Sequence, residues 1–368
     1  MGLSSLVYPG AHHTRFEHAI GAMHIMQKAI VVLKNKKINI TKEEQEAMQI
    51  AILLHDIGHG PFSHATEKVL IPGVCHEEVS IRVIKMLNKE FNGALDLALQ
   101  IFKNEYHRKF MNQLVSGQVD VDRLDYLKRD SFYTGVTEGN INTDRILAMM
   151  NVFDEELVFE SKGVHSLEKF LLARRLMYWQ VYLHKTSLAA ELILVKVLSH
   201  FRILVENRSE HITETHPFFH FFGLNNDIIL DENTLTRYLA LDDSDILFLL
   251  KNWVKHKDVV LSSLSNQLIK RNLPKVKLQS DPFDNKELTN KKKRLNASIF
   301  NKNISDNFVF TGSVSNQTYV SDQAQILLQD KSGKINSIAS AINYLDFEQF
   351  SKPILKYYLC YPKANSCL

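Results

Sequence analysis

Cysteine is scarce: Cys75, Cys360 and Cys367 are the three in 368 residues, and no two are spaced as a metal or disulfide motif. That excludes a disulfide-stapled secreted scaffold and indicates a reducing compartment. No apolar run reaches the roughly 20 residues of a membrane-spanning helix, and no charged-then-apolar leader opens the chain. The expected setting is therefore the cytoplasm, with no membrane partner. Excess charge is missing too: 44 Lys and Arg against 41 Asp and Glu leave a net +3, too little for a dedicated nucleic-acid binder. Repeats and low-complexity tracts are absent. What remains, 45% hydrophobic and 23% charged, is the composition of a globular chain able to bury one large core or two modest ones.

Histidine, by contrast, is concentrated. Of 16 in the chain, His12, His13, His18, His24, His55, His59, His64 and His76 all lie in the first 76 residues. The pair His55-Asp56, inside LLHDIGHGPFSH, stands at the end of an apolar helix that Thr41 and Glu44 open as a capping box. Gly58, Gly60 and Pro61 then break that helix into a loop able to bring His59 and His64 back to the metal. His18 in TRFEHAIG and Asp122 in VDVDRLDY supply two more ligands. Each residue taken alone is an ordinary cap or surface polar group; the ordered set of four points to a metal centre. Two imidazoles and two carboxylates make a mixed nitrogen and oxygen shell, which suits Fe, Mn, Co or Ni better than a structural zinc.

The strings YPGAHHTRFEHAIG, LLHDIGHGPFSH, HEE and DVDRLDYLKRD follow one another in the order H…HD…D. This order resembles the HD-domain metal-dependent phosphohydrolases, and the longer strings resemble one branch of them. That branch holds the bacterial dGTPases and the SAM-and-HD-domain deoxynucleotide triphosphohydrolases. The resemblance runs from residue 2 to about 135, extends to about 207 and fades afterwards. It implies hydrolysis of deoxynucleoside triphosphates to deoxynucleoside and inorganic triphosphate by a divalent cation, with Mg as a further candidate metal. A nucleotide effector and a homo-oligomer are implied as well. Related enzymes carry a helical segment before the first block, whereas Met1-Gly2-Leu3 runs directly into it here. The expectation is a start codon further upstream, with apolar surface near Leu3, Leu6 and Val7 left uncovered and a longer form more active.

Phosphate ester hydrolysis needs an activated water, neutralised phosphate charge and a proton for the leaving oxygen. A neighbouring imidazole suits the last task. By the resemblance, His64 and Glu67 flank the attacked phosphorus and His76 is the acid, with His59 in the same layer. Glu67 stands where relatives often use an aspartate. Arg15, one turn before His18, points to the same mouth, and the resemblance makes it a phosphate contact. Tyr126 and Asp130 follow Asp122 at offsets of four and eight, on one helical stripe. Tyr126 can pack on a sugar, Asp130 can accept from a sugar hydroxyl, and Arg123 can clamp phosphate. Arg174, Tyr178 and Tyr182 repeat the spacing of four before His184-Lys185, where similar enzymes line the triphosphate and base pocket. The plain alternatives are a solvated helix face and an aromatic core stripe. Leu183 replaces a polar residue used near the base, which leaves base preference open.

The periodicity predicts a mainly α protein: a helical catalytic core over 1–207 and a smaller C-terminal α+β region over 208–368. Helices are expected over 14–34, 76–90, 95–103, 107–116, 120–130 and 142–151, with a short hairpin over 151–163. Two helical stretches between 166 and 207 should hinge near 185–187. HITETHPFFHFFG reads as a loop and LDDSDILFLLKNWVKH as a capped helix. KKKR at 291–294 reads as a solvated loop or a contact for anions. VFTGSV, QTYV, AQILL, GKINSI and KYYLCYP read as strands, with a hairpin turn at 330–333. Two further functional readings stand beside the first: an HD phosphohydrolase for another nucleotide ester, and a nucleotide-binding regulator without turnover. The alarmone hydrolases place an acidic pair after HD where this chain has GHG. The cyclic-dinucleotide class needs a GYP-containing block that is absent.

Overall fold

The computed structural model describes residues 2–207, 216–222, 230–298, 304–316, 325–341 and 352–363, apart from the side chains of His64, Lys68 and 296–298. A 3-10 turn, Gly2–Leu6, opens the chain. Helix α1 (Arg15–Asn35) begins at Thr14 and α2 (Lys42–Leu54) at Thr41. Both starts are capping boxes: the threonine side chain accepts from the N3 amide while Glu17 or Glu44 accepts from the cap amide. Then come α3 (His64–Leu70), α4 (His76–Glu90), α5 (Asp96–Phe102), α6 (Lys109–Val115), α7 (Val121–Thr134) and α8 (Thr143–Met149). The hairpin β1 (Met150–Phe153) and β2 (Glu156–Glu160) leads into α9 (Val164–Met177). A π turn, Tyr178–Tyr182, separates α9 from α10 (Lys185–Glu206).

The later part holds α11 (Glu232–Leu239), α12 (Asp243–Trp253), α13 (Val259–Ile269), β3 (Lys275–Gln279), α14 (Asn285–Ser298), β4 (Phe310–Asn316), β5 (Leu327–Gln329), β6 (Ile335–Ser337), α15 (Ile338–Ala341) and β7 (Ile354–Tyr361). The fold is mainly helical, as the periodicity predicts. Within the expected loop, Pro217–Phe222 forms a 3-10 turn, and QTYV lies outside the described residues. KKKR is not a loop but part of α14, where Lys292 pairs with Asp306 at 2.7 Å and Lys291 lies 3.8 Å from the Tyr361 ring centroid. No helix of the described residues is long and apolar enough to cross a membrane.

Two small sheets complete the architecture. In one, β1, β2, β5 and β6 are neighbours in that order, with β2 and β5 parallel and the other pairs antiparallel. In the other, β7 lies between β3 and β4, antiparallel to both, so that Cys360 faces Val276 on one side and Phe310 on the other. The apolar interior divides into two clusters. One joins α1, α2, α5 to α9 and the first sheet; the second joins α3, α4, α10 to α13 and the second sheet. Packing thus crosses the proposed boundary at 207: α10 belongs with the later elements, and β5 returns to the earlier ones. Leu3 does not stand uncovered; it is buried in the second cluster with Leu6 packed beside it, because the opening turn lies on α10.

Candidate metal centre and active-site cavity

The helix ends bring the histidines and aspartates together where the two clusters meet. His18 lies in the second turn of α1, His55 caps α2, Asp56 follows it, and Asp122 lies in the first turn of α7. His18, His55 and Asp56 each offer a ligand atom within 4.8 Å of the other two. Asp122 Oδ1 lies 3.1 Å from His18 Nε2 and 3.5 Å from His55 Nε2. Both imidazoles are oriented from behind: His18 Nδ1 meets Asp125 Oδ2 at 2.8 Å, and His55 Nδ1 donates to the Ile52 carbonyl at 2.6 Å. That leaves each Nε2 facing the carboxylates, and His55 Nε2 is buried without a hydrogen bond. A buried, unsatisfied imidazole nitrogen among carboxylates is what a divalent cation would complete, so the donor set fits a metal. Electrostatics agree. Burial works against charging His18, yet its hydrogen bonds to the Asp122 and Asp125 carboxylates outweigh it and hold His18 up at about 10. Against the opposing effect of burial, the two histidines hold Asp122 well below the usual carboxylate range.

Asp125 escaped the sequence reading, although it lies in the same DRLDY string one turn after Asp122. Arg129 grips its other side at 2.8 and 2.9 Å. Gly21 makes this approach possible, since a side chain there would collide with both Asp125 and Arg129. Asp125→Asn should keep the fold but weaken the hold on His18, lowering metal affinity by about 10- to 100-fold. Titration with a metal indicator would show it; unchanged affinity would reduce Asp125 to a structural contact.

The second layer closes over the same point. The His59 and His76 rings stack with centroids 3.8 Å apart, and His59 Nε2 lies 3.6 Å from Asp56 Oδ1. Glu67 accepts from the His76 amide at 2.8 Å and lies 3.2 Å from its Nδ1. It thus caps α4 and orients the ring in one interaction. The His64 side chain lies outside the described residues. Gly58 is needed here because any side chain would strike the backbone of His76 and Ser80. The next residues of the loop are strained: Phe62 and Ser63 both have left-handed φ, 53° and 54°. Strain of this kind persists where surrounding contacts enforce it. Here Phe62 N–H donates to Asp243 at 2.7 Å and Ser63 Oγ accepts from Arg15. Arg15 also pairs with Asp56.

A cavity of about 480 Å³ opens over these groups, a size suited to a small-molecule ligand. His18, Asp56, His59, His76, Asp122 and Arg15 line one part; Tyr126, Asp130, Tyr178 and Tyr182 line another. Asp130 accepts from Tyr182 at 2.7 Å and lies 2.7 Å from His13 Nε2. His13 was one histidine among many in the sequence; its tie to residue 130 is legible only in the fold. Arg123 and Arg174 do not line the cavity. Arg123 donates to Asp120 and to the Gly117 carbonyl at 2.8 Å. Arg174 is buried, with Nε and Nη1 lacking any hydrogen bond, and burial together with the Arg123 charge disfavours its protonation.

Comparison with known proteins agrees with this geometry. Residues 15–130 match the HD domain and residues 141–214 match the HD associated region. The crystal structure of a phosphohydrolase from Bacteroides thetaiotaomicron superposes with a TM-score of 0.92 at 46% identity, covering 98% of this chain and 91% of that one. An uncharacterized Bacillus subtilis protein, YwfO, is 34% identical over 74% of this chain and 63% of its own length. The deoxynucleoside triphosphate triphosphohydrolase SAMHD1 homolog of Dictyostelium discoideum is 32% identical over 53% of this chain and 41% of its own. The matches therefore span less than two thirds of either curated relative. A near full-length match to one phosphohydrolase, on a chain whose HD motif builds the cluster described above, carries the conclusion: this protein belongs to the HD-domain phosphohydrolases, a class of metal-dependent hydrolases.

Proposed function

We propose that the protein hydrolyses deoxynucleoside triphosphates to deoxynucleoside and inorganic triphosphate. One observation carries the reading: a single cavity joins the His and Asp cluster and Arg15 to a sugar-sized wall of Tyr126, Asp130 and Tyr182. His18, His55, Asp56 and Asp122 would hold the cation, with Mn, Fe, Co or Ni as the candidates and Mg beside them. When bound, it neutralises phosphate charge and acidifies an attacking water. Arg15 lines the cavity beside Asp56 and meets the phosphates there, whereas Arg174, buried behind Tyr126, adds positive charge from outside the wall. Glu67 fixes His76 through Nδ1, so that Nε2, 3.3 Å from the exposed Glu77, is the atom that hands a proton to the leaving oxygen. His59, stacked on His76, orders the same loop. A cytoplasmic homo-oligomer responding to a nucleotide effector belongs to the same proposal.

The Tyr126 ring against the C2′ face leaves no partner for an extra hydroxyl. An unpaired, desolvated hydroxyl costs on the order of 1–3 kcal/mol, so dNTPs should exceed NTPs by about ten- to a hundredfold in kcat/KM. A turnover screen over dNTPs, NTPs and cyclic nucleotides with metal supplied, resolving triphosphate from pyrophosphate, tests this. Equal turnover of GTP and dGTP, or orthophosphate and pyrophosphate alone as products, would refute it. The second reading, an HD phosphohydrolase for another nucleotide ester, draws on one observation. His59, Glu67 and His76 form a further group with ligand atoms within 4.8 Å of one another, enough for a second cation. That reading gains if the screen shows monoester or cyclic nucleotide cleavage instead.

A further inference from the structure

Glu191 lies on α10 and lines the cavity, yet the proposed chemistry leaves it without a task. Among the described residues its carboxyl makes no hydrogen bond or ion pair. Ser4 of the opening turn and Leu183, the residue directly after Tyr182, line the same cavity. The opening turn and the π turn are tied together there by Tyr8, whose hydroxyl donates to the Gln180 carbonyl at 2.5 Å. The metal cluster comes from α1, α2 and α7 instead. A nucleotide with its phosphates at that cluster and its sugar against Tyr126 and Tyr182 therefore extends its base along the α10 wall.

We infer that Glu191 reads the edge of the nucleobase, so that base preference depends on whether its carboxyl carries a proton. This rests on the deoxynucleotide reading above. A neutral carboxyl offers one donor beside one acceptor; an ionised one only accepts. Adenine, cytosine, guanine and thymine each present a donor next to an acceptor, so the neutral form suits all four. Two adjacent donors, which a carboxylate needs, occur only at guanine N1–H and N2–H. The ionised form therefore selects guanine and places its lone pairs against ring nitrogens or carbonyls of the others.

Both forms are accessible near neutral pH, because burial pushes Glu191 up to about 7. The elements packed on α10 are the opening turn, α3, α13, β3 and the π turn. The opening turn and α13 carry no charged side chain. The β3 strand carries Lys275 and Lys277, the π turn Tyr178 and Tyr182, and α3 carries Glu67 with His64 and Lys68. Burial is the leading influence on Glu191.

The test is internal competition between dGTP and dCTP in one metal-loaded reaction, run from about pH 6 to about pH 8. The ratio of kcat/KM values cancels the titration of groups that serve both substrates. It should rise toward dGTP by about tenfold or more as pH increases, and stay flat in E191Q, whose amide keeps one donor and one acceptor at every pH. A flat ratio in the wild type, or the same rise in E191Q, would overturn the inference while leaving dNTP turnover intact. No turnover of any dNTP would overturn the deoxynucleotide reading and this inference with it.

Discussion

His55→Ala protein should lose its metal to a chelator under conditions in which the wild type retains it, and should lose turnover with it. His55 Nε2 is buried, faces Asp56 and Asp122, and is held there by the Ile52 carbonyl behind its Nδ1. Removing the ring opens the shell and takes one of the two imidazoles from beside Asp122, leaving His18 there and Arg15 on Asp56, an arrangement that disfavours metal binding. The affinity loss should exceed the roughly hundredfold upper end that follows loss of a mere outer partner. Metal content after dialysis, measured beside the melting temperature, separates lost ligation from lost fold. Full metal retention in a folded His55→Ala protein would sink the ligand assignment. A pH trend should accompany it. His18 holds a proton up to about 10 beside Asp122, Asp125 and Asp56, so a cation must displace that proton to bind. Loading therefore releases protons and weakens as pH falls.

His76→Ala should lower kcat by about 10²–10⁴ while leaving the metal bound. The side chain lines the cavity, stacks on His59 and contributes no atom to the four-residue cluster. Its anchor to Glu67 runs partly through the backbone amide, which alanine keeps, so α4 should start at the same place. Single-turnover kinetics and metal content on the same sample decide the matter. A loss confined to KM would make His76 a binding residue, and loss of metal would draw it into the ligand shell.

The parts of this protein that were legible in its sequence are those set by near neighbours. Thr14 with Glu17 and Thr41 with Glu44 cap their helices through contacts three residues apart, and Gly58 breaks the chain after His55. Elements whose pattern is weak were harder. The Lys275–Gln279 strand is five residues with lysines alternating outward, too short to stand out until β7 pairs with it. KKKR sits on a helix with little apolar stripe, and local pattern alone gives such a helix no reason to form. The hinge expected at 185–187 falls at residues 183 and 184, where the π turn ends.

The sequence by itself determined the helical class, the family resemblance and the four clustered His and Asp residues, because each ligand rides on a helix end whose position is encoded within a few residues. Only the tertiary structure decided what surrounds them. Asp125 behind His18, His13 on Asp130, Ser63 under Arg15 and Glu191 on the cavity wall are tied to partners or walls 48 to 117 residues away, or drawn from another core cluster. The same packing kept Arg123 and Arg174 off the wall that their spacing suggested, since helical spacing specifies a face but not what another helix will place against it. Two hydrophobic clusters must dock before those distances exist, and the docking is the sum of many weak apolar contacts that no short string of residues records.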